Sequence, residues 1–147
     1  MAEFTRVAEV SWQGDLVHGR GVLTAPAGGV LSNVPVTWKA RTETPDTTNP
    51  EELIASAHAA CYAMALSHTL TQGGHAPDEL RVSAEVTATT GADGLKIVRS
   101  ALRVRGRVAG LDQAAFAEFA RKGEQSCPVS NALRGNIEIT VDAQLDG

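Results

Sequence analysis

TNPEELIASAHAACYAMALS, Thr48 to Ser67, is the stretch whose reading decides the fold. It opens as a helix start. Thr48 as N-cap with Glu51 three residues later makes a capping box, and Pro50 suits the first turn. Glu51 and Glu52 complement the positive end of the helix dipole. The predicted helix runs to about Gln72, where Gly73 and Gly74 stop it. Its apolar residues between Leu53 and Leu66 cover nearly the whole circumference, and a helix apolar all round is a buried one. Sheets or a partner subunit must therefore cover it. The same run is no membrane span, because it falls short of about 20 residues and carries Ser56 and His58.

Outward from this helix the chain reads as short β segments on either side. Arg6 to Trp12, Val22–Leu23 and Val34 to Lys39 carry β-type patches separated by Gly14, Gly28, Gly29, Ser32 and Asn33, which predicts a meander. Arg81 to Thr89 alternates, with Val82, Ala84, Val86 and Ala88 on one face. GADG at 91–94 turns the chain into a second alternating run, Leu95 to Val108, with arginines on its polar face. Asp112 caps a second helix with Phe116, Phe119 and Ala120 as its apolar stripe. SCPVSNALRG at 126–135 restarts as a short helix, and Ile137 to Leu145 alternates as a last strand. The order βββ-α-ββ-αα-β is α+β, with antiparallel strands expected throughout.

The 147 residues predict one domain, 1–147, and 43% hydrophobic with 20% charged residues is the composition of a soluble globular chain. A formal net charge of -4 offers phosphate no long-range attraction, which argues against nucleic acid as a partner. MAEFTRVAEV lacks a basic segment followed by an apolar run, so no signal peptide is expected and the cytoplasm is the expected location. In such a reducing compartment a pair of cysteines, here Cys61 and Cys127, is more often chemical than structural.

Cys61 lies well inside the long helix, where a cysteine is commonly a small core hydrophobe. A reactive Cys61 needs a cation to hold its thiolate, since a helix interior supplies no dipole help. Arg20 and Arg41 are the candidates that precede the helix, and each also reads as an ordinary solvated arginine. Cys127 sits beside Pro128 in the first turn of a new helix capped by Ser126 or its neighbour, where the positive end favours a thiolate. Local physics thus ranks Cys127 as the better nucleophile. His58 shares a helical face with Cys61, so the pair could be nucleophile and base, or two metal ligands with Cys127 as a third. His58 also reads as a packing residue with a satisfied ring nitrogen, and His18, His68 and His75 show no ligand spacing. No Gly-rich phosphate loop, GxSxG or CxxC is present.

The segments 48–67 and 126–135 resemble the two signature segments of the OsmC/Ohr family of thiol peroxidases, and WQGDLVHGRG at 12–21 is similar to that family's N-terminal strand pair. AHAAC with His58, and a single arginine, Arg41, in the loop before Thr48, resemble the osmotically inducible protein C branch more than the organic hydroperoxide resistance branch. The resemblance implies two antiparallel sheets around long central helices in an intertwined homodimer, with active sites at the subunit interface. It implies a cofactor-free peroxidase, active in oxidative and osmotic stress, that reduces organic hydroperoxides to alcohols. Cys61 would be the peroxidatic cysteine and Cys127 the resolving one, joined in a disulfide that a thiol or dithiol, such as a lipoyl protein, reduces. The family's arginine and glutamate fall on Arg41 and Glu51, with Glu51 holding the guanidinium in a bidentate pair. Arg20 is a nearby basic position that substitutes for Arg41 or assists it. The alanines of the long helix with Leu53, Ile54, Phe116 and Phe119 would make an apolar wall that favours alkyl peroxides. Two other readings compete: a redox sensor or binding protein on the same scaffold without turnover, and a metal protein using His58, Cys61 and Cys127.

Overall fold

The computed structural model describes residues 2–146, which form two compact units divided after Leu53. The first unit holds β1 (Glu9–Gln13), β2 (Arg20–Thr24) and β3 (Val34–Val36), an antiparallel meander in the order β1-β2-β3. The predicted third β patch ends early. Thr37 Oγ1 accepts the Ala40 N–H at 3.0 Å, and this cap turns the chain into a short helix, α1 (Trp38–Thr42), that contains Arg41. Arg41 is therefore helical and not in a loop.

The long helix α2 (Pro50–Gln72) stops at Gly73–Gly74 as expected, but its cap is shifted by one residue. Asn49 Oδ1 accepts the Glu52 N–H at 2.8 Å, and Asn49 O accepts the Leu53 N–H at 3.1 Å. Thr48 instead donates its hydroxyl to Glu52 Oε1 at 2.9 Å. Glu51 is thereby released from capping. Asn49 is buried and donates its side-chain N–H to Ala40 O at 3.1 Å, which ties α1 to the start of α2.

In the second unit β4 (Glu79–Gly91) and β5 (Gly94–Arg107) form the predicted hairpin, with Gly94 at φ 94° in its turn. Two helices follow, α3 (Gln113–Ser126) and α4 (Pro128–Leu133), and then β6 (Glu138–Leu145). Asp112 caps α3 as expected, its Oδ1 accepting the Ala115 N–H at 2.8 Å. The sheet order is β4-β5-β6, and β6 lies parallel to β5, against the antiparallel expectation. The reason is the connection: α3 and α4 form a crossover, which returns the chain to the sheet in the same direction.

The core of this unit joins Tyr62, Leu66 and Leu70 of α2 to Leu102 and Val104 of β5 and to Phe116 and Ala120 of α3. Gly106 is needed on β5 because a Cβ there would meet the Phe116 ring at 2.5 Å. The all-round burial predicted for α2 does not hold within one chain. His58, Tyr62, Leu66 and Leu70, spaced by four, form the buried stripe, while Ala57, Ala60 and Met64 are exposed.

Candidate active site

Cys61 and Cys127 are both free thiols, and the fold inverts their expected burial. Cys127 is fully buried and is itself the N-cap of α4, with Pro128 next to it. Its Sγ accepts the Ser130 N–H at 3.5 Å, the bond that an N-cap side chain makes. Cys61 is half-buried, and the Cys127 thiol lies within hydrogen-bonding reach of its sulfur. Burial pushes the Cys61 thiol above the ordinary 9.0, the Val129 N–H pulls it back down, and the Cys127 thiol adds to the rise. The stabilising N–H that the interior of α2 cannot give to Cys61 thus comes from Val129 in α4. That contribution is invisible to local reading, because it joins residues far apart in sequence.

The second pair lies in the first unit. Arg41 Nε donates to Glu51 Oε1 at 2.8 Å, and the guanidinium lies over the Trp38 ring with 5.7 Å to its centroid. The contact is single and not the bidentate pair expected. Glu51 Oε2 is buried without a hydrogen-bond partner, the one such side-chain atom among the described residues. Arg20 is exposed on β2, opposite Gln13, and takes no part in the ion pairs of the described residues.

His58 does not pair with Cys61. Its Nδ1 pairs with Ser100 Oγ and its Nε2 with Ser130 Oγ, both at 2.7 Å, so both ring nitrogens are taken. Burial holds the imidazole below the ordinary 6.5, with the Glu124 carboxylate opposing. No cluster of three metal-ligating side chains occurs among the described residues. Phe116 is fully buried against Gly106, and Phe119 packs on Gly73 and, edge to face, on His75. Both phenylalanines serve packing and are no exposed wall for a substrate.

Sequence reading missed Ser100, Val129, Ser130 and Glu124. Ser130 lies in the second signature segment. Ser100 could have been found from register, since Ser100, Leu102, Val104 and Gly106 alternate as the buried face of β5, and a serine there needs a partner. Glu124 is buried and accepts from Arg134 Nη2 at 2.7 Å, joining α3 to the end of α4.

Fold and site together define an α+β dithiol protein. The chain belongs to the OsmC-like family, whose model, described as OsmC-like protein, matches residues 43–142. It is 38% identical over 137 residues to the peroxiredoxin OsmC of Escherichia coli (strain K12), covering 93% of this chain and 94% of that one. An organic hydroperoxide resistance protein of Xanthomonas axonopodis pv. citri is 36% identical over 102 residues, 65% of this chain and 66% of the relative. Among solved structures, an organic hydroperoxide resistance protein from Elizabethkingia anophelis superposes with a TM-score of 0.79 at 26% identity, covering 99% of both chains. One from Legionella pneumophila gives 0.76 at 25% identity over 98% of this chain and 99% of its own.

Proposed function

We propose that this chain is a cysteine peroxidase that reduces organic hydroperoxides to alcohols. The observation that carries the reading is the pairing of a half-exposed Cys61 with a buried Cys127 at the start of α4. The names of the relatives, peroxiredoxin OsmC and organic hydroperoxide resistance protein, support a peroxide substrate.

In this mechanism the Cys61 thiolate attacks the terminal peroxide oxygen. The O–O bond breaks, the sulfur becomes sulfenic acid, and the alkoxide leaves and takes up a proton to become the alcohol. The Cys127 thiol then attacks the sulfenic sulfur. An S–S bond forms as the S–O bond breaks, and the hydroxyl leaves as water with the thiol proton. An external dithiol reduces the Cys61–Cys127 disulfide and is itself oxidised. Arg41 supplies the cation for the thiolate and the departing alkoxide, Glu51 orients it, and Arg20 assists. The working unit is a homodimer of one such domain per chain, acting in the cytoplasm without a cofactor.

Cys61→Ser abolishes consumption of cumene hydroperoxide with a dithiol donor. Cys127→Ser permits one turnover and stops at a sulfenic acid that a dione reagent traps. Labelling of Cys61→Ser in place of Cys127→Ser reverses the two roles. A wild-type protein that is oxidised once and never turns over with any dithiol is a sensor instead.

A further inference from the structure

His58 is fully buried, and burying an imidazole is costly unless its nitrogens are paired. Its two partners lie on different elements, Ser100 on β5 and Ser130 on α4, and both serines are themselves fully buried. A neutral imidazole has one donor and one acceptor, so one serine donates to the ring and the other accepts from it. The Ser130 arm reaches the turn that presents the thiols. Its own N–H donates to Cys127 Sγ at 3.5 Å, and its neighbour Val129 directs an N–H to the Cys61 sulfur. At the other end of α4, Arg134 is held by Glu124. The short helix is thus fastened at both ends, and the fastening nearest the sulfurs is the imidazole.

We propose that His58 is a positioning residue for disulfide formation: its bond to Ser130 holds the first turn of α4 where Cys127 Sγ meets Cys61 Sγ. The inference rests on the reading that peroxide oxidises Cys61 and Cys127 resolves it. In the resolving step the Cys127 sulfur displaces hydroxyl from the Cys61 sulfenic acid, the S–O bond breaks, the S–S bond forms, and water carries away the proton. His58 neither gains nor loses electrons in it. It sets the approach of the two sulfurs, and a displacement of about 1 Å in such a step costs on the order of 100-fold.

Two substitutions separate the arms of the ring. A glutamine amide reaches the place of Nε2 and keeps Ser130, whereas an asparagine amide reaches the place of Nδ1 and keeps only Ser100. Each variant is mixed with cumene hydroperoxide, and sulfenic acid is followed by dione trapping and disulfide by intact mass. The initial oxidation of Cys61 is measured in each variant, because a shifted α4 turn also moves the Val129 N–H on the Cys61 sulfur, and disulfide formation is followed from the sulfenic acid onward. His58→Asn forms the disulfide about tenfold or more slowly and accumulates Cys61 sulfinic acid under excess peroxide, while His58→Gln stays within about threefold. Ser130→Ala, which loses the same bond with little change in volume, behaves as His58→Asn and provides the measurement if that variant fails to fold. Equal slowing in the Gln and Asn variants overturns the proposal, as does undiminished disulfide formation in His58→Asn and Ser130→Ala. Either result leaves the two-cysteine reading standing. A wild-type protein oxidised at Cys61 that forms no disulfide sinks both.

Discussion

Cys61 sits in the interior of a helix whose own dipole does nothing for it, and its sulfur meets a backbone N–H at the start of another. Burial, with the Cys127 thiol adding to it, nevertheless raises the Cys61 thiol above its ordinary range in the resting protein. Since the thiolate is the nucleophile, the second-order rate constant with tert-butyl hydroperoxide rises with pH until Cys61 is ionised. If Arg41 has its proposed role, Arg41→Met moves that inflection further up, because loss of a cation disfavours the charged form. It also lowers the rate at neutral pH by about two to three orders of magnitude, the usual cost of one partner for developing charge. Glu51→Gln lowers it less, since its single contact through Arg41 Nε orients the guanidinium without touching the reacting atoms. Arg20→Met is the comparison. A crippled Arg20→Met beside a near-normal Arg41→Met transfers the role to the arginine on β2, and pH profiles unchanged in all three variants remove arginine activation from the mechanism.

At the scale of elements, the packing of α3 against the sheet turns on one glycine. Phe116 on α3 closes onto β5 only because position 106 has no side chain. Gly106→Ala puts a methyl group 2.5 Å from a ring that is fully buried and cannot swing to solvent. The expected loss is about 1–3 kcal/mol, the usual cost of overpacking a filled core. Urea denaturation of Gly106→Ala, Phe116→Leu and the double variant checks it. The double variant is more stable than the sum of the single losses predicts, because the smaller side chain makes room for the methyl. Strict additivity means that the two residues do not meet.

For the molecule as a whole, the apolar surface of one chain argues for a second. Val7, Val10, Trp12, Val22 and Val30 of the first unit are exposed, and Met64 on α2 is 69% exposed. Scattered apolar residues are ordinary on a surface, but alanines and a methionine on the open side of a long helix match an interface better than solvent. Sedimentation velocity is expected to give a particle of two chains at micromolar concentration. Met64→Asp shifts it toward one chain by burying a carboxylate in that interface. A monomer at every concentration removes the homodimer from the proposed function.

Much of this protein is legible in its sequence because the signals are local. Gly73–Gly74 ends α2, Asp112 starts α3, and 91–94 turns the β4–β5 hairpin, each through backbone preferences of a few neighbouring residues. Cys61, Cys127, Glu51 and Arg20 stand out as residue types within recognisable segments, and Arg41 shortly before one, as candidates whose roles belong to the proposed function. The tertiary structure decided what depends on distant residues meeting. Whether Thr48 or Asn49 caps α2 turns on Asn49 also reaching Ala40, and that choice leaves Glu51 for Arg41. The direction of β6 follows from the α3–α4 crossover and not from its alternation, which is the same for either sense. Which cysteine is buried, and which backbone N–H meets Cys61, depends on where α4 docks. The partners of His58 lie 42 and 72 residues away, beyond the reach of any helical or strand periodicity. Periodicity reports which face of an element is apolar, and it carries no information about which polar atoms another element brings to that face.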